Sequence, residues 1–401
     1  MVEYLNETTQ FDGIYLRKIR EGGTFYWIPD PQYYAKPGHY LPSELPVFYN
    51  PMMELNRDLS ILTLATYLKI TDKEPEDLTY VELLAGTGIR GFRVLNEVGT
   101  LNVILNDLDI NCVRLMHFNA KFFPTDIQSH ATILNYEANH LLSSIKLWKK
   151  SVDAMDIDPF GTPAPFLDSA VRATKRKLGL LLLTATDTSA LIGKFPQSAR
   201  RKYGVYLKAV PFCNEIAVRA LIYHALSVAT KYRIGLRPLF GFFFTNFIKV
   251  ALLTVPGRKA SDVLLEKKSG WLKIEGTKIE TLERPRGTLD GDLIGPIWLD
   301  TMYDEEFIKE VLGVLNKVPI GATSRTKLET WFKAELKTAS IPFYYDIELI
   351  ASNLKKSTPK IREVIAELQR LGFIAERTHF SPKAVKTNAP PEILIEIIKR
   401  L

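Results

Sequence analysis

The residues best suited to chemistry in this 401-residue chain lie in two short stretches. One is Asp156-Ile-Asp158-Pro159-Phe160-Gly161-Thr162-Pro163, which follows an apolar run of strand character. A carboxylate at the end of a sheet strand, with a proline and an aromatic ring after it, suits methylation of an exocyclic amine on a nucleobase. Such an amine is a poor nucleophile, because its lone pair is delocalised into the ring. A carboxylate that accepts its N–H favours rehybridisation and holds the nitrogen in line with an incoming methyl group. Proline stiffens the turn, and the ring offers a stacking face. In isolation, Asp-Pro is also a common turn initiator, and Phe160 would then be a core residue.

The second stretch is Glu82-Leu-Leu-Ala-Gly86-Thr-Gly88-Ile-Arg90-Gly91. Gly86, Gly88 and Gly91 satisfy G-x-G-x-x-G after a predicted strand, where a turn without side chains lets a nucleoside-bearing ligand approach the backbone. Asp107 ends the next predicted strand, about twenty residues on, where an acid can bind ribose hydroxyls. A dinucleotide and S-adenosylmethionine both fit this geometry. Glu82 has the E-x-x-x-G-x-G spacing common in methyltransferases. Glu137 follows the third predicted strand, where those enzymes place an adenine contact.

Strands and helices must alternate to bring these stretches together. The apolar pattern predicts helices at 52–68, 89–97 and 110–122, and strands at 80–84, 102–106, 131–134, 152–157 and 180–184. Alternation with near-continuous apolar strands is the mark of a parallel sheet covered on both faces. We expect a doubly wound α/β domain over residues 1–256, its first fifty residues an ordered, loop-rich extension with Pro37-Gly38 among its turns. The apolar run 239–253, interrupted at Asn246 and Lys249, reads as a buried strand. Residues 258–291 read as a linker or irregular surface. A smaller α+β domain fills 257–401, with helices at 304–315, 324–336, 346–354 and 358–371 before a hairpin at 373–380. Helix, turn, helix and hairpin is the order of a winged-helix module.

Composition limits the alternatives. With 46% hydrophobic residues the chain is globular, and 52 Lys+Arg against 45 Asp+Glu give a charge of +7 that permits a polyanionic partner. Cys112 and Cys213 alone cannot form a disulfide framework or a four-thiolate zinc site. No secretory leader or bilayer-spanning run is visible, so a cytoplasmic protein away from membranes is expected. The positive charge is local. Residues 172–208 carry nine Lys or Arg against the single acid Asp187, with Phe195, Tyr203 and Tyr206 interleaved. Arg200, Arg201 and Lys202 are the preferred phosphate contacts there, and Lys355 and Lys356 form a second grip between the last two predicted helices.

Taken jointly, the motifs resemble the tRNA (guanine-N2)-dimethyltransferase family of archaea and eukaryotes, which dimethylates the guanosine at tRNA position 26. The likeness runs through Phe48-Tyr-Asn-Pro51-Met-Met-Glu-Leu-Asn56-Arg57-Asp58, Gly86–Gly91, Asn106-Asp107, Asp158-Pro-Phe-Gly161 and Thr186-Asp187-Thr188. It continues through Gly295-Pro-Ile-Trp298, Arg377-Thr-His-Phe380 and Lys386-Thr387. The resemblance implies a Rossmann-like class I methyltransferase domain, S-adenosylmethionine as cofactor and tRNA as partner, in a chain we expect to be monomeric. It implies that Asp158 engages the guanine amine and that Phe48 and Phe160 sandwich the base. Arg57, Glu82, Gly86, Gly88, Arg90, Asp107, Glu137 and Ala138 would hold the cofactor. Family members usually carry Asp where this chain has Glu137. Without the resemblance, Arg57 would read as a solvent-facing helix residue paired with Asp58 or Glu54. Some relatives carry a cysteine-lined zinc site in the C-terminal half. This chain has no cysteine after Cys213, so no metal is expected. Two other readings compete: an NAD-dependent dehydrogenase using the same loop, and a non-catalytic winged-helix nucleic-acid binder. The dehydrogenase leaves Asp158-Pro-Phe-Gly161 unexplained, and the binder has no use for the glycine loop.

Overall fold

The computed structural model describes residues 2–35, 41–147, 151–275, 278–283 and 293–401. They group into two compact units: Met1–Asp158 with Asp168–Leu182 and Lys309–Glu329, and Pro159–Leu167 with Leu183–Ile308 and Thr330–Leu401.

The first unit opens with three antiparallel strands, β1 (Glu3–Phe11), β2 (Ile14–Glu21) and β3 (Thr24–Pro29). This departs from the loop-rich extension expected of the first fifty residues. The two-residue turns Asp12-Gly13 and Gly22-Gly23 join the strands, with Phe11 opposite Ile14 and Glu21 opposite Thr24. Asp12 and Gly13 both have positive φ, the twist-matched geometry for a tight hairpin, so Asp-Gly was a hairpin signal. The loop-rich character is confined to the segment after β3, and Pro37-Gly38 lie outside the described residues.

Helix α1 (Glu54–Thr71) precedes the alternating part: β4 (Thr79–Glu82), α2 (Ile89–Glu97), β5 (Asn102–Asn106), α3 (Ile110–Ala120), β6 (Ala131–Leu134), α4 (Ala138–Leu147), β7 (Ala154–Ile157) and β8 (Leu180–Ala185). These strands agree closely with the apolar runs in the sequence. They lie in the order β6-β5-β4-β7-β8, and β4 is parallel to both β5 and β7. The chain therefore winds outward from β4 in both directions, which opens a crevice at the carboxyl ends of β4 and β7. Every residue of β7 and β8 is buried, as expected of central strands covered on both faces. Helix α1 differs from the one-sided helix expected, since Leu55 to Leu64 are all buried, including Asn56, Arg57, Asp58 and Ser60. Polar residues buried on a central helix need partners, and those partners form the site.

In the second unit, α5 (Pro196–Tyr203) and α6 (Cys213–Thr230) lead to an antiparallel hairpin, β9 (Ile234–Phe244) and β10 (Phe247–Pro256). The run expected to be one buried strand is thus two. Asn246 lies in the turn, and Lys249 is fully buried, its Nζ 3.3 Å from the Thr184 hydroxyl. The stretch expected to be irregular contains α7 (Arg258–Lys267), β11 (Ser269–Glu275) and β12 (Lys278–Leu282), and β13 (Leu293–Trp298) pairs with β11. Residues 284–291 of that stretch lie outside the described residues.

Helices α8 (Glu305–Val314) and α9 (Ala322–Thr338) come next. The chain ends with β14 (Tyr345–Asp346), α10 (Ile347–Asn353), α11 (Ile361–Arg370), β15 (Ala375–Thr378), β16 (Ser381–Thr387) and α12 (Pro391–Arg400). Sheet order β14-β16-β15 behind two helices is the arrangement of a winged helix, with α12 added. Its core joins Ile347, Val364, Leu368, Val385, Leu394 and Ile397. Buried Glu335 accepts from Lys386 Nζ at 3.0 Å and lies 2.9 Å from His379 Nδ1, which ties β16 and its turn to α9.

Candidate active site and cofactor loop

The glycine loop is fixed by its own backbone and by two neighbours. Ala85 N–H donates to Asn106 O at 2.8 Å, and Gly86 N–H donates to Asp107 Oδ2 at 2.7 Å. Gly88 caps α2 at φ +81°, and a Cβ there would sit 2.6 Å from Met116 Cγ. At Gly91 the need is space, since a Cβ would lie 2.1 Å from Leu105 Cδ2. Tyr26 Oη, from the N-terminal sheet, donates to Thr87 O at 2.6 Å and pins the loop from behind. Asn106 knits the strand ends together: its Nδ2 donates to Leu83 O and Tyr136 O, and its Oδ1 accepts from Tyr136 N–H.

Behind the loop, Arg90 is a buried hub. Its Nη1 lies 2.7 Å from Asp156 Oδ1 and donates to Asn56 Oδ1 and Ser60 Oγ at 3.1 Å, while Nη2 bonds Asp158 Oδ2. Ser60 Oγ in turn donates to Asp156 Oδ2 at 2.5 Å. Arg90 Nε lies 3.2 Å from Glu82 Oε1 without the alignment of a hydrogen bond. Three carboxylates thus share one guanidinium, and the charge balance favours keeping one of them protonated. Glu82 is that acid: burial pushes its carboxyl up to about 8, with Arg90 opposing and Asp156 adding to the rise.

One turn further along α2, fully buried Arg93 meets Glu21, Asp58 and Glu97. Glu21 bridges the two halves of this network. It accepts from Arg57 Nε and Nη2 at 2.6 and 2.7 Å, from Arg93 Nη1 at 2.9 Å and from Tyr49 Oη at 2.9 Å. Burial would raise its pKa, yet Arg57 and Arg93 together hold it down to about 2. Arg57 is therefore buried against Glu21, not solvent-facing against Asp58 or Glu54, and it also donates to Asn50 O.

Phe48 is half-buried, and its carbonyl lies 3.4 Å from where a Gly86 Cβ would be. Asp107 accepts from Asp109 N–H as well as Gly86 N–H, and burial raises its carboxyl. Glu137 is exposed and caps α4, accepting from Asn139 N–H at 3.1 Å and His140 N–H at 2.8 Å, and the Asn139 amide is the main cause of its lowered pKa. Ala138 is buried at the start of α4. Phe160 lies two residues past Asp158 and is 76% exposed.

In the second unit, Arg200, Arg201 and Lys202 occupy the last turn of α5. Arg200 and Arg201 are exposed, and the Arg200 guanidinium lies 4.9 Å from the Tyr206 ring centre. Lys202 is held by Asp187 at 2.8 Å. Lys355 and Lys356 are exposed in the turn before α11, where Lys356 Nζ donates to Lys399 O. In the first part of the basic run, Lys175 pairs with Asp153 at 2.6 Å.

Sequence reading missed Glu21, Arg93 and Ser60, and gave Asp156 no role of its own beside Asp158. Spacing carried part of the signal, since Asn56 and Ser60, and Arg90 and Arg93, share helix faces. It also missed Leu108 and Tyr136, which follow β5 and β6 with 67% and 44% exposure. Such apolar side chains flanking Asp107 and Glu137 suit an adenine ring.

The site distinguishes the two cofactors left open by the glycine loop. A dinucleotide needs free amides at the helix N-terminus for its pyrophosphate. Here Gly91 N–H already donates to Glu82 Oε2 at 2.9 Å, and the partly exposed carboxylate of Asp158 stands in the same wall, with Asp156 buried behind it. A carboxylate in that wall suits a cationic sulfonium and the N–H of a neutral exocyclic amine. Parallel winding about β4, the glycine loop and this wall define a Rossmann-like methyltransferase that uses S-adenosylmethionine.

A family model described as N2,N2-dimethylguanosine tRNA methyltransferase matches residues 29–399. The tRNA (guanine(26)-N(2))-dimethyltransferase of Methanocaldococcus jannaschii is 33% identical over 385 residues, covering 95% of this chain and 98% of that one. The enzyme of the same description from Sulfolobus acidocaldarius is 34% identical over 395 residues, covering 96% and 98%. The structure of Trm1 from Pyrococcus horikoshii with S-adenosyl-L-methionine superposes with a TM-score of 0.79 at 28% identity, covering 95% of this chain and 99% of that one. The chain belongs to the N2,N2-dimethylguanosine tRNA methyltransferase family.

Proposed function

We propose that the chain methylates the exocyclic N2 of guanosine 26 in tRNA twice, giving N2,N2-dimethylguanosine. The observation that carries this reading is Asp158, placed at the carboxyl end of β7 and clamped by Arg90 beside the glycine loop. When bound, S-adenosylmethionine supplies a methyl group already activated on a sulfonium. The loop backbone and Asp107 would hold its ribose, with Leu108, Tyr136 and Ala138 around the adenine and Arg57 toward its carboxylate. Asp158 accepts an N2–H, which aims the nitrogen lone pair at the methyl group and gives the proton a place to go as the new bond forms.

Arg90 keeps Asp158 oriented for that task. A base inside folded tRNA must first be swung out, at a cost of a few kcal/mol. Stacking on Phe48 and Phe160, worth roughly 1–3 kcal/mol per stacked base, offsets that cost. We assign catalysis to residues 1–256 and the tRNA grip to residues 257–401 together with Arg200, Arg201 and Lys202. We also assign a monomer. Both cysteines are free thiols and no described helix is long and apolar enough to cross a membrane, which supports a cytoplasmic setting.

The test is incubation with unmodified tRNA transcript and labelled S-adenosylmethionine, followed by digestion to nucleosides. Label in dimethylguanosine supports the reading, whereas label in methyladenosine or methylcytidine overturns the substrate. Asp158→Ala retains cofactor binding and loses methyl transfer; unchanged turnover removes Asp158 from the mechanism.

A further inference from the structure

One face of the N-terminal sheet carries cations and an exposed ring, Phe25, beside the buried Trp27. In β2 and β3, Lys18 stands opposite Trp27 and Arg20 opposite Phe25. Lys18 Nζ lies 5.7 Å from the Phe25 ring centre and 5.8 Å from that of Trp27, and the Arg20 guanidinium lies 5.7 Å from Phe25. Trp27 adjoins Phe122 at 6.0 Å, and Phe118 meets Phe122 edge-on at 5.2 Å. Phe25 and Phe122 are 52% and 59% exposed, although burial is the usual fate of phenylalanine. A paired hydrogen bond between Trp27 and Asn119 fixes β3 against α3, so the row is held in place. Tyr26, between Phe25 and Trp27, points the other way and pins the glycine loop through Thr87 O. The row is therefore one strand's thickness from the cofactor loop.

We propose that this face is an RNA platform, on which unpaired bases stack against Phe25 and Phe122 while Lys18 and Arg20 neutralise the adjoining phosphates. Alternating exposed rings and cations match the two needs of single-stranded RNA, a stacking surface and a track for its backbone. Two acids face the row. Glu3 lies opposite Arg20 in β1, and Glu7 bonds Lys18 at 2.9 Å with its side chain 58% exposed. A pair whose carboxylate is this exposed yields readily to a phosphate. The inference rests on the proposed activity and extends its contacts to a region of tRNA away from the target base.

The experiment compares the full-length parent with two double variants, Phe25→Ala/Phe122→Ala and Lys18→Gln/Arg20→Gln. It reads the Kd for tRNA transcript across a salt series, KM for tRNA, kcat at saturating tRNA, and cofactor affinity. Loss of the rings raises Kd and KM for tRNA about tenfold or more. Loss of the cations lowers the slope of log Kd against log salt by roughly one to two. The kcat value and cofactor affinity stay at the parent's, which a general loss of folding would not allow. A parent that forms no dimethylguanosine sinks the functional reading and this inference with it. An active parent whose variants keep its Kd and salt slope overturns the inference alone. Loss of self-association by light scattering in that second case would assign the face to another copy of the chain.

Discussion

Glu21→Gln removes one negative charge from the point where two buried arginines converge, while keeping the size of the side chain. In the parent, Glu21 is fully buried and its carboxyl is held at about 2 against an ordinary 4.5. A tenfold change in proton affinity corresponds to about 1.4 kcal/mol, so the charged form contributes about 3 kcal/mol of stability. That agrees with the roughly 3–5 kcal/mol lost when one partner of a buried ion pair is removed. Because the folded pKa is depressed, this stability is fully present above the unfolded pKa and is lost as pH falls toward the folded one. Urea unfolding followed by circular dichroism should therefore show the variant about 3 kcal/mol less stable at about pH 7. The gap should narrow to about 2 kcal/mol near roughly pH 3.5 and continue closing in stronger acid. A gap under about 1 kcal/mol at neutral pH, or one that does not change with pH, refutes the placement of Glu21 at the centre of the network.

Other outcomes follow from the same geometry. Gly88→Ala places a side chain at φ +81° against Met116, so cofactor affinity should fall at least about tenfold by calorimetry, with roughly 1–2 kcal/mol of backbone strain. In Glu82→Gln the sign is opposite to Glu21: the parent carboxyl is raised to about 8, so its contribution declines as pH rises from 4.5 through 8. Thermal melts should show the Gln variant gaining on the parent across that window; a constant difference would mean that Glu82 is ionised throughout. Arg201→Gln should weaken tRNA binding and reduce the salt slope by roughly 0.7–0.9, with cofactor affinity unchanged, and an unaltered slope removes this residue from the phosphate contacts.

Much of the fold was legible because strand and helix periods are local. β4 to β8 lie close to the apolar runs that announced them, and α10, α11, β15 and β16 keep the predicted order. Legibility failed where a tight turn divided a pattern. Asn246 looked like an interruption within one strand and is the turn between β9 and β10. Asp12-Gly13 and Gly22-Gly23 passed as loop residues although each closes a hairpin. Helix α12 went unread, and the irregular stretch after Arg258 contains α7, β11 and β12 because charged surface positions masked the alternation of Leu272 and Ile274.

By itself the sequence determined the chemistry on offer: a glycine turn for a nucleoside cofactor, an acid at a strand end, and aromatic and basic residues for RNA. Residue types and short spacings encode these, and they survive any arrangement of the rest. Tertiary structure decided which charges meet. Glu21 reaches Arg57 across 36 residues and Arg93 across 72, and Arg90 reaches Asp158 across 68. No local period records such distances. Burial then divides four acids of the network's two hubs by function: Glu82 is pushed toward its neutral form, Glu21 is locked as an anion, and Asp156 and Asp158 share Arg90. Desolvation penalises a buried charge and a neighbouring guanidinium repays it, and that balance exists only once the chain has folded.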